Sequence, residues 1–286
     1  MRFFTGLHQP SDARHFDAAF ISINRLRGRK SPMQVRDWIM DSGAFTEISS
    51  RGGYRHSVAD YAAEIRRWAG NGNLLAASAQ DWMCEDVVLK RAAIAEGTLP
   101  APAWFDHADP QAFRKLGAVP WAFEGHREQQ LLAHQKRTIE RYDALRREDT
   151  AGVYILPVLQ GFAPADYVAH LAMYGDRLPG GAWVGVGSVC KRNGDPRQVA
   201  AVLLAIKAAR PELKLHGFGL KTTALADPLV RSQLETADSM AWSFSARKNG
   251  RNANDWREAV HWAKNITSRP VQHVLDLLLA LSLEAL

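Results

Sequence analysis

Short apolar runs alternate with amphipathic stretches over most of the chain, a pattern typical of parallel strands joined by crossover helices. Between the runs, apolar residues that recur at three- and four-residue steps predict helices. This alternation predicts an α/β fold, a single (β/α)8 barrel of the TIM type with loop insertions. The predicted strands are Arg2–Thr5, Ala18–Ile23, Trp38–Met40, Leu74–Ser78, Val153–Leu159, Trp183–Val186, Leu213–Phe218 and Ser239–Phe244.

The helical stretches carry recognisable start signals. Ser57–Trp68 opens with a serine followed by Asp60, the arrangement of a helix cap. By contrast, Thr98–Glu124 is rich in proline and aromatic residues and predicts a loop insertion, with Val119–Phe123 as a candidate strand. No linker divides the chain, so residues 1–286 are expected to form one barrel domain. The predicted helices are Ser57–Trp68, Gln130–Arg147, Pro164–Tyr174, Pro196–Ala209, Leu225–Thr236, Asp255–Asn265 and Val271–Leu286.

The charge balance of the chain suggests a negatively charged partner. Lysine and arginine outnumber the acidic residues by 36 to 30, a net charge of +6, which favours a polyanion, although a merely solvated surface has the same balance. Two basic clusters stand out, Arg25–Lys30 and Arg247–Arg251. The second follows a candidate catalytic segment directly, and that placement favours a nucleic-acid partner.

Cysteine content and hydropathy narrow the chemistry and the location. The two cysteines, Cys84 and Cys190, provide neither a disulfide framework nor a four-thiolate zinc site, so we expect no metal and no cofactor. The first residues lack the apolar core of a signal peptide, and the apolar run at Leu275–Leu283 is broken by Asp276 and is too short to cross a bilayer. We therefore expect a cytoplasmic protein with no membrane contact.

Polar residues follow several of the apolar runs at the point where a strand would pass into its loop. Asp41 comes directly after Met40, Asp81 follows the run that ends at Ser78, and Asp238 lies at the last predicted strand. In a parallel barrel this is the face where active sites form. Taken singly, Asp41 and Asp81 are more typical of helix caps, and the glycines nearby are equally suited to ordinary turns. Convergence on one face favours chemistry.

Six short motifs follow one another along the chain: Asp41–Phe45, Gln80–Asp81, Leu159–Gly161, Val184–Ser188, His216–Gly219 and Asp238–Arg247. They occur in the order found in tRNA-guanine transglycosylases, and the chain resembles that superfamily. The motifs cover about three-quarters of the sequence, but the zinc-binding cysteines and the appended RNA-binding domains of the family are missing. The residues around Asp81 and at Val189–Arg192 are most similar to DpdA-type enzymes, which place 7-deazaguanine bases into DNA.

The resemblance implies a base-exchange enzyme that replaces guanine in DNA with a 7-deazaguanine such as preQ0. It implies Asp238 as the nucleophile on the sugar C1′, Asp41 as the proton shuttle and Asp81 as the acceptor for the N1–H and 2-amino edge of the base. Phe45 and His216 would sandwich the base, and Gln160 would hold its O6 side. The remaining base-binding positions are Ser42, Gly161, Gly185 and Gly187, and the expected nucleic-acid contacts are Lys191, Arg192, Arg247, Lys248 and Arg251.

Alternatives remain for the polymer and for the class of protein. The main one keeps the reaction but acts on tRNA, in the queuosine or archaeosine pathway. Others are a non-catalytic nucleic-acid-binding barrel, like the accessory subunit of eukaryotic members, and a free-nucleoside hydrolase. Asp41 and Asp238 in their motifs argue against a binding-only protein. Expected partners are DNA, the deazaguanine base, other DNA-modification proteins and a second copy of the chain.

Overall fold

A parallel sheet forms the centre of the computed structural model, which describes residues 1–106, 109–192 and 194–267. Its order is β5-β4-β3-β2-β1-β9-β8-β7-β6, so strands adjacent in the chain are also adjacent in the sheet. The strands are β1 (Arg2–Gly6), β2 (Ala18–Ser22), β3 (Asp37–Asp41), β4 (Asn73–Ser78), β5 (Tyr154–Leu156), β6 (Val158–Leu159), β7 (Trp183–Val186), β8 (Lys214–Gly217) and β9 (Thr236–Ser239).

The two edges of this sheet meet at Pro157. Strands β5 and β6 are separated by that residue alone, and proline has no N–H to continue a ladder. β5 pairs with β4 and β6 pairs with β7, while the Gly185 amide donates to the Pro157 carbonyl at 2.8 Å. The nine segments therefore act as eight barrel strands. The predicted TIM-type barrel is confirmed, and the predicted strand Val153–Leu159 is in fact split at its proline.

Successive side chains on a strand point alternately into the barrel and out toward the helices, and this separates an inner core from an outer one. On β1, Phe3 faces outward and contacts Trp262, whereas Phe4 belongs to a separate cluster inside the barrel. The outer core lies between the strands and the surrounding helices. The inner cluster consists of Phe4, Ala18, Phe20, Ile39, Ala76 and Leu156.

The helices surround the strands. Ser57 and Asp60 form the expected capping box, with the Asp60 amide donating to Ser57 Oγ at 3.0 Å. The helices are α1 (Ile23–Leu26), α2 (Ala44–Arg51), α3 (Val58–Trp68), α4 (Asp86–Ala95), α5 (Pro110–Lys115), α6 (His126–Arg147), α7 (Pro164–Tyr174), α8 (Pro196–Ala209), α9 (Thr222–Ala226), α10 (Pro228–Gln233), α11 (Ala241–Lys248) and α12 (Trp256–Thr267).

Two predicted elements are wrong near the end of the barrel. The strand predicted at Ser239–Phe244 ends at Ser239, and the apolar residues after it belong to α11, because a short apolar run has the same composition in either element. The helix predicted at Leu225–Thr236 is divided in two. Asp227 caps a new helix that begins at Pro228, and Thr236 already lies in β9.

The insertion after β4 has more structure than predicted. It contains α5, its Leu99 and Leu116 are buried in a small core of their own, and Val119–Phe123 forms no strand. The predicted helix Val271–Leu286 lies outside the described residues.

Candidate active site

A cavity of about 260 Å³ opens at the carboxyl ends of the barrel strands. Four carboxylic acids lie in its wall: Asp41 from the end of β3, Asp81 and Glu85 from the segment after β4, and Asp238 from β9. They are joined by uncharged residues from the other strand ends, including Gln160. The barrel thus brings together acids that lie almost 200 residues apart in the chain.

Asp238 is held by two donors on one of its oxygens. Its Oδ1 accepts from the Gly219 amide at 3.1 Å and from His216 Nε2 at 3.2 Å. The side chain is buried, yet it lines the cavity, and Oδ2 makes no hydrogen bond within the described residues. This arrangement leaves one carboxylate oxygen for a ligand.

A chain of hydrogen bonds through the barrel sets the donor that faces Asp238. Trp183 Nε1, which can only donate, lies 2.8 Å from Thr236 Oγ1, so the threonine hydroxyl is free to donate to His216 Nδ1, also 2.8 Å away. With Thr236 donating to Nδ1, the tautomer that carries its hydrogen on Nε2 directs that hydrogen at Asp238. This series of hydrogen bonds holds the Asp238 carboxylate from the interior of the barrel.

Asp41 occupies a site that favours its protonated form. Burial raises its pKa to about 6, a hydrogen bond from Ser22 opposes the rise, and the charge of Asp238 adds to it. The Gly43 amide also donates to the carboxylate. Gly43 has φ 76°, and a Cβ there would lie 2.4 Å from Asn24 Nδ2, so this turn requires glycine.

Asp81 is held by a second polar network. Gln160 Nε2 donates to Asp81 Oδ2, and Ser188 Oγ donates to Gln160 Oε1 at 2.7 Å. Ser188 has φ 57°, a conformation rare for non-glycine residues, which turns its hydroxyl toward Gln160. A Cβ on Gly187 would lie 2.1 Å from Gln160 Nε2, so glycine leaves the space that the amide fills.

Burial dominates the electrostatics of Asp81. It raises the pKa to about 7, the hydrogen bond from Gln160 opposes the rise, and the charge of Asp41 adds to it. Behind the carboxylate, the Tyr54 hydroxyl donates to the Asp81 carbonyl at 2.9 Å. The network therefore holds both the backbone and the side chain of this residue.

Half of the predicted base-binding residues line the cavity, and the other half do not. Phe45, Asp81, Gln160 and Gly187 line the cavity, as do the predicted catalytic residues Asp41 and Asp238. The others lie behind its wall. They are Ser42, which is buried beside Ser78, Gly161, which packs on Tyr167 of α7, Gly185, which packs on the Phe218 ring, and His216.

His216 is not a wall of the base site. It is fully buried, lies 5.7 Å from Phe20 ring to ring inside the barrel, and does not line the cavity. In this structure the His216 ring does not reach the cavity that Phe45 lines. The sequence identified the residue, but its side chain lies on the inner side of Asp238.

The residues predicted to contact nucleic acid also differ in where they lie, some on the surface and one buried. Arg247 and Lys248 are exposed on the last turn of α11, and Arg251 is paired with Glu258 at 3.3 Å. Arg192 is buried, donates to the Phe162 carbonyl and lies over the Phe162 ring, so its guanidinium is not on the surface with those of Arg247 and Arg251. The side chain of Lys191 lies outside the described part of the structure.

Sequence reasoning missed Glu85 and Met240, which both line the cavity. Glu85 is the residue before α4 and its side chain is buried. Its only signal is its position four residues after Asp81, which equally suits a helix start. Met240 packs against Gly6, where a Cβ would lie 2.3 Å from its Cγ, a contact between opposite ends of the chain.

Among the described residues, no group of three histidine, cysteine or acidic side chains is arranged to hold a metal ion. In the same part of the chain, no helix has both the length and the apolar character needed to cross a membrane.

A parallel barrel with several carboxylic acids around one cavity at its carboxyl face defines an enzyme of the TIM-barrel class. The family model of DpdA, described as DeoxyPurine in DNA protein A, matches residues 1–97 and 125–274, and the chain belongs to this family. The unmatched residues 98–124 coincide with the insertion predicted from composition.

Membership supports a general role in 7-deazaguanine modification of DNA and places the chain among transglycosylases. No curated protein matches the chain.

Proposed function

We propose that the protein replaces guanine in DNA with a 7-deazaguanine base through a covalent bond between the sugar and Asp238. One observation carries the proposal: Asp238 Oδ1 is fixed by Gly219 and His216 in the cavity that also contains Asp41, whose pKa is raised to about 6. A fixed nucleophilic carboxylate and a carboxyl group that exchanges protons near neutral pH are the two groups that base exchange requires.

In the first half of the reaction, Asp238 Oδ2 attacks C1′ of the target deoxyguanosine. The bond from C1′ to N9 breaks, and its electron pair leaves with guanine. Asp41, protonated at this stage, gives its proton to the departing base. In the second half, Asp41 takes the proton from N9 of the incoming deazaguanine, that nitrogen attacks C1′, and Asp238 is released as a carboxylate.

The opposite wall of the cavity supplies recognition of the base. Asp81, once ionised, accepts from the N1–H and 2-amino group, a pair of donors that matches a carboxylate. Gln160 is held beside it by Ser188, which leaves its second amide hydrogen for the O6 side of the base. Phe45, exposed at the cavity edge, offers a ring to stack on the purine.

This proposal includes two choices. The inserted base is preQ0 and not another deazaguanine, and the polymer that receives it is DNA and not tRNA. Family membership favours DNA. The target nucleotide must leave the helical stack before its C1′ reaches a buried carboxylate such as Asp238.

The test compares wild type, Asp238→Asn and the control Asp17→Asn, whose carboxylate is 86% exposed at the amino end of β2. Labelled preQ0 is supplied with matched DNA and tRNA substrates, and covalent adducts are resolved on a denaturing gel. We expect incorporation into DNA and an adduct from wild type and Asp17→Asn, and neither from Asp238→Asn. Incorporation by Asp238→Asn at the wild-type rate contradicts the assignment, and transfer into tRNA alone reverses the polymer.

A further inference from the structure

One face of α11 leads outward from the cavity. Met240, which precedes the helix, lines the cavity, and Phe244 follows it one turn later with 60% of its surface exposed, the most of the large apolar residues described. Arg247 and Lys248 lie three and four residues further on, so they neighbour Phe244 on the same face. The helix therefore presents an aromatic ring and then two cations to solvent.

The other basic cluster of the sequence reaches the same place. His8 lies 2.7 Å from the Ser243 hydroxyl of α11 and packs edge-on against Trp242. The positive charges of Arg25 and Arg247 both act on His8, where burial and these charges lower its pKa. Arg25 begins the RLRGRK cluster after β2, and the fold brings its charge near enough to act on the same histidine as Arg247, which lies more than 200 positions away in the chain.

These cations have no acidic partner within the described residues. Some other exposed arginines are paired, such as Arg251 with Glu258 and Arg36 with Asp17. Arg25, Arg247 and Lys248 are exposed, and no carboxylate among the described residues lies within ion-pair distance of them. A row of unneutralised charges beside an exposed ring suits a strand that carries both phosphates and bases.

We propose that Phe244, Arg247, Lys248 and Arg25, here the α11 surface, bind the strand of DNA next to the extruded nucleotide, with Phe244 stacked on the neighbouring base. The inference rests on the proposed function and deepens it by stating where the polymer lies. Arg25 and Arg247 hold phosphates on either side of the stacked base.

The dimensions agree with such a path. A helix rises about 1.5 Å per residue, so Phe244 lies about 6 Å along the axis from Met240, and Lys248 about 12 Å. Stacked bases on one strand are about 3.4 Å apart, and extruding a nucleotide stretches that spacing. Phe244 is thus one to two nucleotides from the cavity.

The stacking is tested with short single-stranded DNA that contains one target guanine, with either a base or an abasic site at each flanking position. We expect Phe244→Ala to weaken binding about tenfold, within the range typical of one base–aromatic stack. An abasic site on one flank should weaken binding by wild type equally, and the two changes together should add nothing further. Phe244→Trp should restore affinity, and Leu204→Ala, an exposed apolar residue of α8, should have no effect.

The phosphate contacts are tested by the salt dependence of the same binding. Arg25→Ala and Arg247→Ala should each lower the slope of log affinity against log salt by about 1, whereas Arg36→Ala, at the amino end of β3, should leave the slope unchanged.

Wild-type exchange into DNA with equal binding by Phe244→Ala on every flank overturns the α11 surface and leaves the proposed function standing. Flank-specific coupling to Phe244 without any exchange supports the surface and overturns the function.

Discussion

Two residues of the cavity, Asp41 and Asp81, have pKa values raised to about 6 and about 7 by burial, and this separates them from an ordinary surface acid. Asp238 Oδ1 accepts from the Gly219 amide and from His216. The surroundings of each carboxyl group, and not its residue type, therefore distinguish these three aspartates.

The first residue-scale prediction concerns Asp41. Asp41→Asn removes the proton shuttle but keeps the shape of the cavity, so single-turnover base exchange should slow by about 10²–10⁴-fold. DNA affinity should stay within about twofold of wild type, because phosphate contacts lie elsewhere. Rates come from rapid quench and affinities from fluorescence anisotropy. Normal exchange by this variant would identify Asp41 as a structural residue of the Gly43 turn.

The second concerns the pH dependence of base binding. Only ionised Asp81 accepts two N–H donors, and its pKa in the free protein is about 7. Binding preQ0 then requires loss of a proton below that pH, so affinity should fall about tenfold per pH unit as the pH drops from 7 to 5 and level off above 8. Titration calorimetry across this range measures it. Asp81→Asn is the control and should bind weakly with no such slope; a parallel slope in that variant would place the titrating group elsewhere.

At the scale of elements, the junction after β7 determines how the base site is built. β7 ends at Val186, and the left-handed turn at Ser188 brings a hydroxyl to Gln160, which in turn holds Asp81. Gly187 makes room for that amide. A strand end, a turn and a neighbouring strand end thus form one recognition unit.

The contact between Gly187 and the Gln160 side chain leads to a prediction for Gly187→Ala. The added methyl would meet the far end of the Gln160 side chain, which can move, so the free energy of unfolding should change by less than about 2 kcal/mol. Displaced Gln160 no longer holds Asp81, and preQ0 affinity should fall about tenfold. Calorimetry of binding and urea unfolding measure the two effects. Gly180→Ala, which has open space around it, is the matched control; equal losses in both variants would show that the effect is not local.

For the whole molecule, the acids of the cavity oppose folding at neutral and alkaline pH. Asp81 has its pKa raised from 3.8 to about 7, so the folded state binds a proton more tightly than the unfolded chain. Its stabilising contribution is complete below about pH 4 and is lost as the pH rises through 7.

Asp81→Asn should therefore be more stable than wild type at pH 8, by on the order of 2–4 kcal/mol, and the difference should shrink toward zero near pH 4. Urea unfolding at both pH values measures the free energies. A difference independent of pH would mean that the variant acts through packing and that the carboxylate does not oppose folding.

Much of the fold follows from local pattern. Seven of the eight predicted strands overlap a barrel strand throughout their core, because a strand of a parallel barrel is buried on both faces and is therefore written as a short, nearly continuous apolar run. Ser239–Phe244 failed for the same reason, since a short apolar run does not distinguish a strand from the first turn of α11. Pro157 is visible in the sequence, but that it divides a strand at the closure of the barrel depends on its neighbours β4 and β7.

By itself, the sequence determined the alternation of strands and helices and the positions of Asp41 and Asp81 at or after strand ends, because each depends on residues close together in the chain. Asp238, which precedes the strand predicted from the sequence, lies instead within β9. Only the tertiary structure decided which side chains share a cavity. It placed Glu85 in the wall and His216 behind Asp238. The physical reason is that closing the barrel sets the direction of each side chain relative to residues far away in the chain, and no local period encodes that relation.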